Sequence, residues 1–206
     1  RLLLEAGASV DQTRNNGVTP LLIASQEGHL DVARLLLEAS AAVNQAADSG
    51  ATPLIMASQD GHLDIVRLLR DAGASVSQAT EDGCTPLLAA CRDGHLECAQ
   101  LLLEAGAAMD QADEEGATPL LVASQTGEID CVRLMIAAGA AVNQADSDGY
   151  TPLYVACQEG HLDVARLLLE AGAAINQANN NSFTPLLIAC QEGHLEVAKL
   201  LSSYGA

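Results

Sequence analysis

The tripeptide Thr151-Pro152-Leu153 decides the fold, because it recurs six times along the chain at intervals of 33 residues. A Gly-His pair follows in nearly every interval, as at Gly160-His161, and an Arg-Leu-Leu-Leu run such as residues 166–169 comes next. A fixed period of this length indicates one helical unit stacked on copies of itself. The tripeptides begin at Thr19, Thr52, Thr85, Thr118, Thr151 and Thr184.

The composition predicts a core of aliphatic side chains. Of the 206 residues, 49% are hydrophobic, but only three Tyr and one Phe are aromatic. Leu, Ala, Val and Ile must therefore fill the interior, which suits small, closely packed helices. No apolar run approaches the roughly 18 residues of a membrane span, and we identify no signal peptide.

The net charge is strongly negative. Nine Lys and Arg stand against 27 Asp and Glu, which gives a formal charge of −18 at pH 7. Nucleic acids and anionic membranes are bound by basic surfaces, and this chain has no excess of Lys and Arg with which to form one. The composition therefore argues against both and favours a basic protein or peptide as partner. Alternatively, the acidity only keeps a repeat protein soluble.

Six Cys are present without a Cys-x-x-Cys motif, and most of them share repeat positions, such as Cys91, Cys157 and Cys190. Neighbouring helices lie about 8–10 Å apart, whereas a disulfide requires Cα atoms within about 7 Å. We therefore expect small buried thiols in a reducing compartment, either cytoplasmic or nuclear.

Each unit is predicted to contain a turn and two antiparallel helices. Thr151 suits an N-cap, and Pro152 suits the first helical position, where its missing N–H costs nothing. A short helix is expected over residues 153–159, with Gly160 ending it in the left-handed conformation. A second helix is expected over residues 162–169, where the apolar residues share one face. One such unit cannot bury its own apolar face, so neighbouring units must stabilise it.

This pattern resembles the ankyrin repeat over essentially the whole chain. The resemblance is carried by the 33-residue period, the Gly-x-Thr-Pro-Leu motif at 149–153, the Gly-His loop, the Leu-rich motif at 167–173, and Val142-Asn143. It implies an all-α ankyrin-repeat solenoid of stacked turn–helix–loop–helix units, curved, with a concave groove that holds the partner. The single domain 1–206 then divides into the end of a truncated repeat (1–16), full repeats (17–49, 50–82, 83–115, 116–148 and 149–181) and a terminal repeat (182–206).

Both ends of the chain differ from the internal copies. Residues 1–7 match residues 166–172, the end of a second helix, and no initiator Met precedes them. We therefore expect a piece of a longer protein. Ser202-Ser203-Tyr204 replaces Leu-Glu-Ala near the other end and is typical of a weak, more polar terminal cap.

Several positions depart from the family pattern. The family commonly has His after Thr-Pro-Leu, where this chain has Leu22, Ile55, Leu88, Leu121, Tyr154 and Leu187, so we expect apolar packing there. Glu128 replaces the loop His, and Ser40 and Ser182 replace Gly. A left-handed Ser40 would carry a strain of about 1–2 kcal/mol, so Ser40→Gly should raise the melting temperature.

Most of the basic residues form one column on the second helices. Acids stand three residues before and four residues after most of them, as Asp163 and Glu170 do around Arg166. These spacings place opposite charges on one helix face and stabilise it by about 0.2–0.5 kcal/mol per pair. We interpret the column as a structural charge ladder rather than a basic binding stripe.

The residue before each Thr-Pro varies most in character, and it becomes aromatic at Tyr150 and Phe183. The resemblance places this residue on a turn that points toward the groove, where exposed aromatic side chains act as binding anchors. Local packing between turns is the alternative. The predicted partner-binding residues are Tyr150, Phe183, Tyr154, Cys84, Glu81, Asp82, Glu114, Glu115, Ser147, Asp148, Arg92, Gln125, Gln158 and Glu159.

The sequence predicts neither a metal site nor a catalytic site. The five His are repeat-equivalent, so they form a row spaced by about 8–10 Å, which cannot converge on one zinc ion. We expect them to form hydrogen bonds within the interhelical loop. Phosphate loops, His-Glu-x-x-His and Gly-x-Ser-x-Gly motifs are absent, and no cofactor is implied. Asn44, Asn143 and Asn176 resemble ankyrin asparagines that a cytosolic oxygenase hydroxylates, but we favour a structural role.

These observations favour a non-catalytic protein-interaction module, expected to be monomeric, that binds a basic protein segment in an acidic groove. One alternative is a structural spacer within a larger solenoid, and another is a consensus-like engineered scaffold. A catalytic domain elsewhere in the parent protein is also compatible with the sequence. Repeat folds serve many unrelated functions, so the fold alone does not choose among these.

Overall fold

The computed structural model describes residues 9–206. The expected helix end at residues 1–7, including the charge pair between Arg1 and Glu5, lies outside this range. The described residues form twelve α-helices in pairs and no strand. The helices are α1 Pro20–Gln26, α2 Leu30–Glu38, α3 Pro53–Gln59, α4 Leu63–Asp71, α5 Pro86–Arg92, α6 Leu96–Glu104, α7 Pro119–Thr126, α8 Ile129–Ala138, α9 Pro152–Glu159, α10 Leu162–Glu170, α11 Pro185–Gln191 and α12 Leu195–Ser203.

The Thr-Pro-Leu tripeptide starts the first helix of each pair as predicted. Thr151 is extended, and its hydroxyl accepts a hydrogen bond from the backbone N–H of Tyr154 at 3.2 Å. Pro152 occupies the first helical position, and Gly160 ends α9 with φ 78°, in the left-handed region. The threonine cap satisfies a backbone donor that the helix itself cannot pair. The same cap forms at Thr19, Thr52, Thr85, Thr118 and Thr184.

The chain forms two compact units. Within the described residues, unit 1 comprises residues 9–90 and Glu97–Ala108, and unit 2 comprises Cys91–Leu96 and Met109–Ala206. In unit 1, α1 packs against α2 and α3, and α3 packs against α4. In unit 2, α9 packs against α7, α10 and α11. Each unit is therefore a stack of helix pairs in which neighbouring pairs bury one another's apolar faces.

Apolar packing replaces the family's turn histidine, as predicted. Leu22, Ile55, Leu88, Leu121 and Tyr154 are all buried, whereas Leu187 in the last pair is 53% exposed. Adjacent turns nevertheless remain hydrogen-bonded through the backbone. The N–H of Glu81 donates to the carbonyl of Ser49, and the N–H of Asn180 donates to the carbonyl of Asp148, both at 3.0 Å.

The loop histidines bond between repeats, so the prediction of bonds within their own loop was wrong. Nε2 of His161 lies 3.0 Å from the carbonyl oxygen of Gln125, 36 residues earlier in the chain. His62 and His194 make the equivalent contacts with the carbonyls of Gln26 and Gln158. The partner is the preceding first helix, because stacking brings that helix end beneath the loop. Among residues 9–206 no three His, Cys, Asp or Glu side chains form a potential metal site.

Asn44 and Asn143 have the structural role that we favoured. Oδ1 of Asn44 accepts a hydrogen bond from the N–H of Ser75 at 2.8 Å, and Oδ1 of Asn143 accepts one from the N–H of Ala174 at 2.7 Å. These bonds tie the segment after one second helix to the equivalent segment of the next repeat.

Five of the six cysteines are buried, and none of the six forms a disulfide. The prediction of burial was wrong for Cys190, which is exposed on α11. The neighbouring thiol of Cys131, together with burial, raises the pKa of Cys91 well above its usual range. Burial raises the pKa of Cys157 to about 12. These thiols therefore stay protonated at neutral pH and serve as small packing residues.

The remaining sequence features are partly realised. Ser40 and Ser182 are left-handed, with φ 67° and 65°. Ion pairs of the charge ladder form between Arg67 and Asp64 at 3.5 Å and between Lys199 and Glu196 at 2.7 Å. The three residues of the predicted polar cap, Ser202, Ser203 and Tyr204, are exposed. No helix within residues 9–206 combines the length and apolarity that crossing a bilayer requires.

Candidate protein-binding surface

Two adjacent turns of unit 2 present the aromatic residues Tyr150 and Phe183. Oδ1 of Asp146 accepts a hydrogen bond from the N–H of Tyr150 at 2.8 Å, and the N–H of Asp146 donates to the Tyr150 carbonyl at 3.1 Å. Asn179 makes the equivalent bonds with Phe183, at 2.9 and 3.0 Å. A short polar side chain at the start of each turn thus fixes the backbone that carries the aromatic residue four positions later.

The neighbouring turns are tied together. Besides the backbone bond from Asn180 to Asp148, Nδ2 of Asn180 donates to the carbonyl of Ser147 at 2.9 Å. Both the N–H and the hydroxyl of Ser147 donate to the carbonyl of Glu115, at 2.9 and 2.7 Å. The spacing between successive turns is therefore fixed by hydrogen bonds, which keeps the side chains at their tips in a defined row.

The two aromatic residues line one groove of about 340 Å³, which we call the aromatic groove. The rings of Tyr150 and Tyr154 are stacked, with centroids 4.9 Å apart and planes inclined by 26°. Tyr154 is buried, whereas Phe183 is 38% exposed. The groove is lined by Tyr150, Tyr154, Gln158, Asn179, Asn181, Phe183, Ile188, Gln191 and Glu192.

Buried hydrogen bonds hold the wall of the aromatic groove. Asn179 is 7% exposed, and its Nδ2 donates to the hydroxyl of Tyr154 at 3.3 Å. Burial, the phenol of Tyr150 and the carboxylate of Glu192 raise the pKa of Tyr154 above its usual range. Tyr154 therefore stays neutral at physiological pH, with its ring stacked on that of Tyr150.

The surface around the aromatic groove carries acids and few bases. In residues 109–206 the only basic side chains of Lys or Arg type are Arg133, Arg166 and Lys199, and each lies on a second helix. The turns and first helices of this segment therefore contribute acids alone. Glu114, Glu115, Asp148, Glu159 and Glu192 are all exposed. No Lys or Arg on the turns and first helices of residues 109–206 offsets these exposed carboxylates.

The other predicted site residues have different environments. Gln125 is exposed and Gln158 half-buried, and their carbonyls accept the histidine bonds described above. Arg92 is half-buried, and its guanidinium lies 3.7 Å from the carboxylate of Asp93, which offsets its charge. Ser147 is exposed at its turn.

Three predicted site residues, Glu81, Asp82 and Cys84, belong to unit 1. Glu81 and Asp82 are exposed, and the carboxylate of Asp82 accepts a hydrogen bond from the hydroxyl of Thr80. Cys84 is only 7% exposed. Its side chain offers almost no surface to a partner, because a small side chain at this position packs into the turn. We therefore omit Cys84 from the surface proposed below.

Sequence reasoning did not place Asn179, Asn181 and Ile188 at the site. Gln191 and Glu192 follow the predicted residues Gln158 and Glu159 by one period of 33, so the repeat places them on the same side of the stack. The structural role of Asn179 had no comparable signal, since its partner Tyr154 lies 25 residues earlier, which is not a multiple of the repeat.

Comparison with known proteins agrees with this architecture. The family model described as ankyrin repeats in three copies matches residues 1–80, 72–146 and 136–206. Among solved structures, the chain is similar to the crystal structure of the human ASB11 ankyrin repeat domain, with 32% sequence identity and a TM-score of 0.86. That similarity covers 92% of this chain and 85% of the human chain. The comparison with curated protein sequences found no match. The repeat, the helix pairs and these matches together show that the chain belongs to the ankyrin-repeat family.

Proposed function

We propose that this protein is a non-catalytic interaction module that binds a basic segment of another protein. Ankyrin repeats generally act as protein–protein interaction modules. The observation that carries the proposal is the aromatic groove of unit 2, where Tyr150 and Phe183 lie beside Glu192. A fixed apolar patch with an acidic border is suited to a segment that contains both apolar and basic side chains.

The aromatic residues are the expected anchors. Binding energy in protein interfaces concentrates in a few residues, often aromatic, and truncating one commonly costs about 2 kcal/mol or more. Tyr150 is held by its stacking on Tyr154 and by the turn hydrogen bonds, so little conformational entropy remains to be lost on binding. The anchors are therefore preorganised.

The exposed acids supply the electrostatic part of the proposal. Glu114, Glu115 and Asp148 stand at the turn tips, and Glu159 and Glu192 at the first-helix ends. Acids on an interface rim attract a basic partner and accelerate association more than they strengthen the final complex. We therefore expect binding to weaken as salt screens these charges.

The proposal is tested by affinity capture with the intact chain as bait, washed at low and at high salt. The comparison baits are Tyr150→Ala/Phe183→Ala and the control Tyr204→Ala, which removes an exposed aromatic side chain outside the groove. We expect a basic protein that the parent and the control retain, that the double variant loses, and that high salt weakens.

The result that would contradict the proposal is an identical set of retained proteins on all three baits, or no specific protein on any. In that case a structural spacer would explain the chain better, because a spacer needs stable repeats but no specific partner. Melting curves of the three baits would show that any loss of binding is not a loss of folding.

The largely buried cysteines form no disulfide, which is compatible with a reducing compartment, so we propose that this interaction occurs in the cytoplasm or the nucleus. Expression of the chain in an oxidising compartment should leave the fold unchanged but modify the exposed Cys190 first.

A further inference from the structure

The aromatic groove combines ring faces with several hydrogen-bond acceptors. Tyr150 and Phe183 contribute the accessible rings, and the stacked Tyr154 lies behind Tyr150. Glu192 contributes a carboxylate, and Gln158 and Gln191 contribute carboxamides. No Lys or Arg lines the groove. Its chemistry is therefore complementary to a cation that has both a face to stack and N–H groups to donate.

The acceptor in this groove is oriented before any ligand arrives. Nε2 of Gln191 donates a hydrogen bond to Oε1 of Glu192 at 3.0 Å. This bond engages one of the two carboxylate oxygens and restrains the side chain. Since Gln191 and Glu192 adjoin the end of α11, the carboxylate is positioned by a helix rather than by a free loop.

We infer that the aromatic groove binds the side chain of an arginine in the basic segment, with the guanidinium against the rings of Tyr150 and Phe183 and its N–H groups toward Glu192. This inference rests on the proposed function and specifies its ligand chemistry. A guanidinium is planar, stacks on aromatic faces and presents five donors in a fixed fork. A lysine ammonium is compact and more strongly hydrated, so it uses the ring faces less well.

A trimethylated lysine is the sharpest competing ligand. It would use the ring faces but has no N–H to donate, so the carboxylate and the carboxamides would be left without partners from the ligand. The presence of Glu192, Gln158 and Gln191 beside the rings is what favours arginine over this alternative.

The probe is a labelled peptide of repeated Arg-Ser-Gly triplets, with matched peptides in which lysine, trimethyl-lysine or citrulline replaces arginine. Fluorescence anisotropy with the intact chain measures each affinity. We expect the arginine peptide to bind about ten-fold more tightly than the citrulline peptide, which keeps the planar shape without the charge. The lysine and trimethyl-lysine peptides should both bind more weakly than the arginine peptide.

Variants test the two parts of the groove separately. Tyr150→Leu and Phe183→Leu keep apolar volume but remove the ring, and each should weaken the arginine peptide by about three- to five-fold. Tyr150→Phe should retain binding. Glu192→Gln should weaken it by about three-fold and reduce the preference for arginine over citrulline. The controls Tyr204→Leu and Glu170→Gln make the same chemical changes outside the groove and should leave the affinity unchanged.

The outcomes separate this inference from the proposed function. If the arginine peptide binds, and Tyr150→Ala/Phe183→Ala abolishes the binding while the Leu and Gln variants bind like the parent, the groove binds basic segments without an arginine site. Equal or tighter binding of the trimethyl-lysine peptide would also overturn the inference and leave the proposed function intact. If the parent binds none of the basic peptides, the arginine inference is overturned, and the affinity capture described above still decides the proposed function.

Discussion

The turn at residues 80–84 and the turns at 146–150 and 179–183 have the same backbone but present different surfaces. The N–H of Thr80 donates to the carbonyl of Cys84 at 3.0 Å, as Asp146 donates to Tyr150 at 3.1 Å. Yet Cys84 is 7% exposed, whereas Phe183 is 38% exposed. The repeated hydrogen bonds set the position of the fifth residue of the turn, and the identity of that residue decides whether its side chain is buried in the turn or exposed.

The largest expected effect on binding affinity comes from truncating the fifth residue of the turn, by which these turns differ. Tyr150→Ala should weaken binding of the captured partner by about 30-fold, because it truncates a preorganised anchor. The matched variant Cys84→Ala changes the same turn position and should leave the affinity unchanged, with a stability cost of about 1 kcal/mol from the lost buried atoms. Titration calorimetry measures the affinities, and equal losses in the two variants would refute the distinction.

The next effect concerns the side chain that starts each turn. Asn179→Ala removes two hydrogen bonds to Oδ1, from Asn181 and Phe183, and the bond to Tyr154. Because Asn179 is buried, we expect the free energy of unfolding to fall by about 2 kcal/mol, and binding to weaken as Phe183 loses its position. Thr80→Ala should cost about 1 kcal/mol without affecting binding. Urea unfolding measures both, and a larger loss for Thr80→Ala would contradict this ranking.

A smaller effect is expected at the left-handed residue of the Phe183 turn. Ser182 has φ 65°, where the turn at 80–84 has Gly83 at φ 84°. Ser182→Gly should raise stability by about 0.5–1 kcal/mol, since relief of strain exceeds the added entropy of the unfolded chain. Ser40→Gly should do the same away from the aromatic groove. A lower melting temperature in either variant would show that its serine is not strained.

The smallest effect tests charge alone. Asp148→Asn removes an exposed carboxylate at a turn tip and should weaken binding about two-fold at low salt, with a smaller salt dependence. Asp163→Asn removes an equally exposed carboxylate from α10 and should change neither quantity. If Asp163→Asn has the larger effect, the partner contacts the second helices instead.

The local structure of each repeat could be predicted from the sequence because its determinants lie within a few residues. The Thr151 cap, Pro152 at the first helical position and the left-handed Gly160 and Ser40 all depend on neighbouring backbone atoms. Apolar packing in place of the turn histidine was also predictable, because a Leu side chain at that position can pack but cannot form hydrogen bonds.

Contacts between repeats were harder to predict. A period identifies equivalent positions but does not say which atoms of the preceding copy face them, so the bond from His161 to the Gln125 carbonyl was missed. Asn179 and Tyr154 both differ from the residue that is usual at their repeat positions, so the repeat pattern does not indicate the hydrogen bond between them. For the same reason the sequence indicated the proposed anchors Tyr150 and Phe183 but not Asn179, Asn181 and Ile188, which also line their groove.

The most direct test of the central claim is site-specific crosslinking from the aromatic groove. Phe183→p-benzoylphenylalanine keeps an aromatic side chain there and crosslinks whatever lies against it, and Tyr204→p-benzoylphenylalanine provides an exposed control outside the groove. We predict that position 183 alone yields a crosslink in cell extract, and that mass spectrometry locates it in a basic segment of one protein. Identical products from both positions, or a product only from position 204, would contradict the claim that this groove is the binding site.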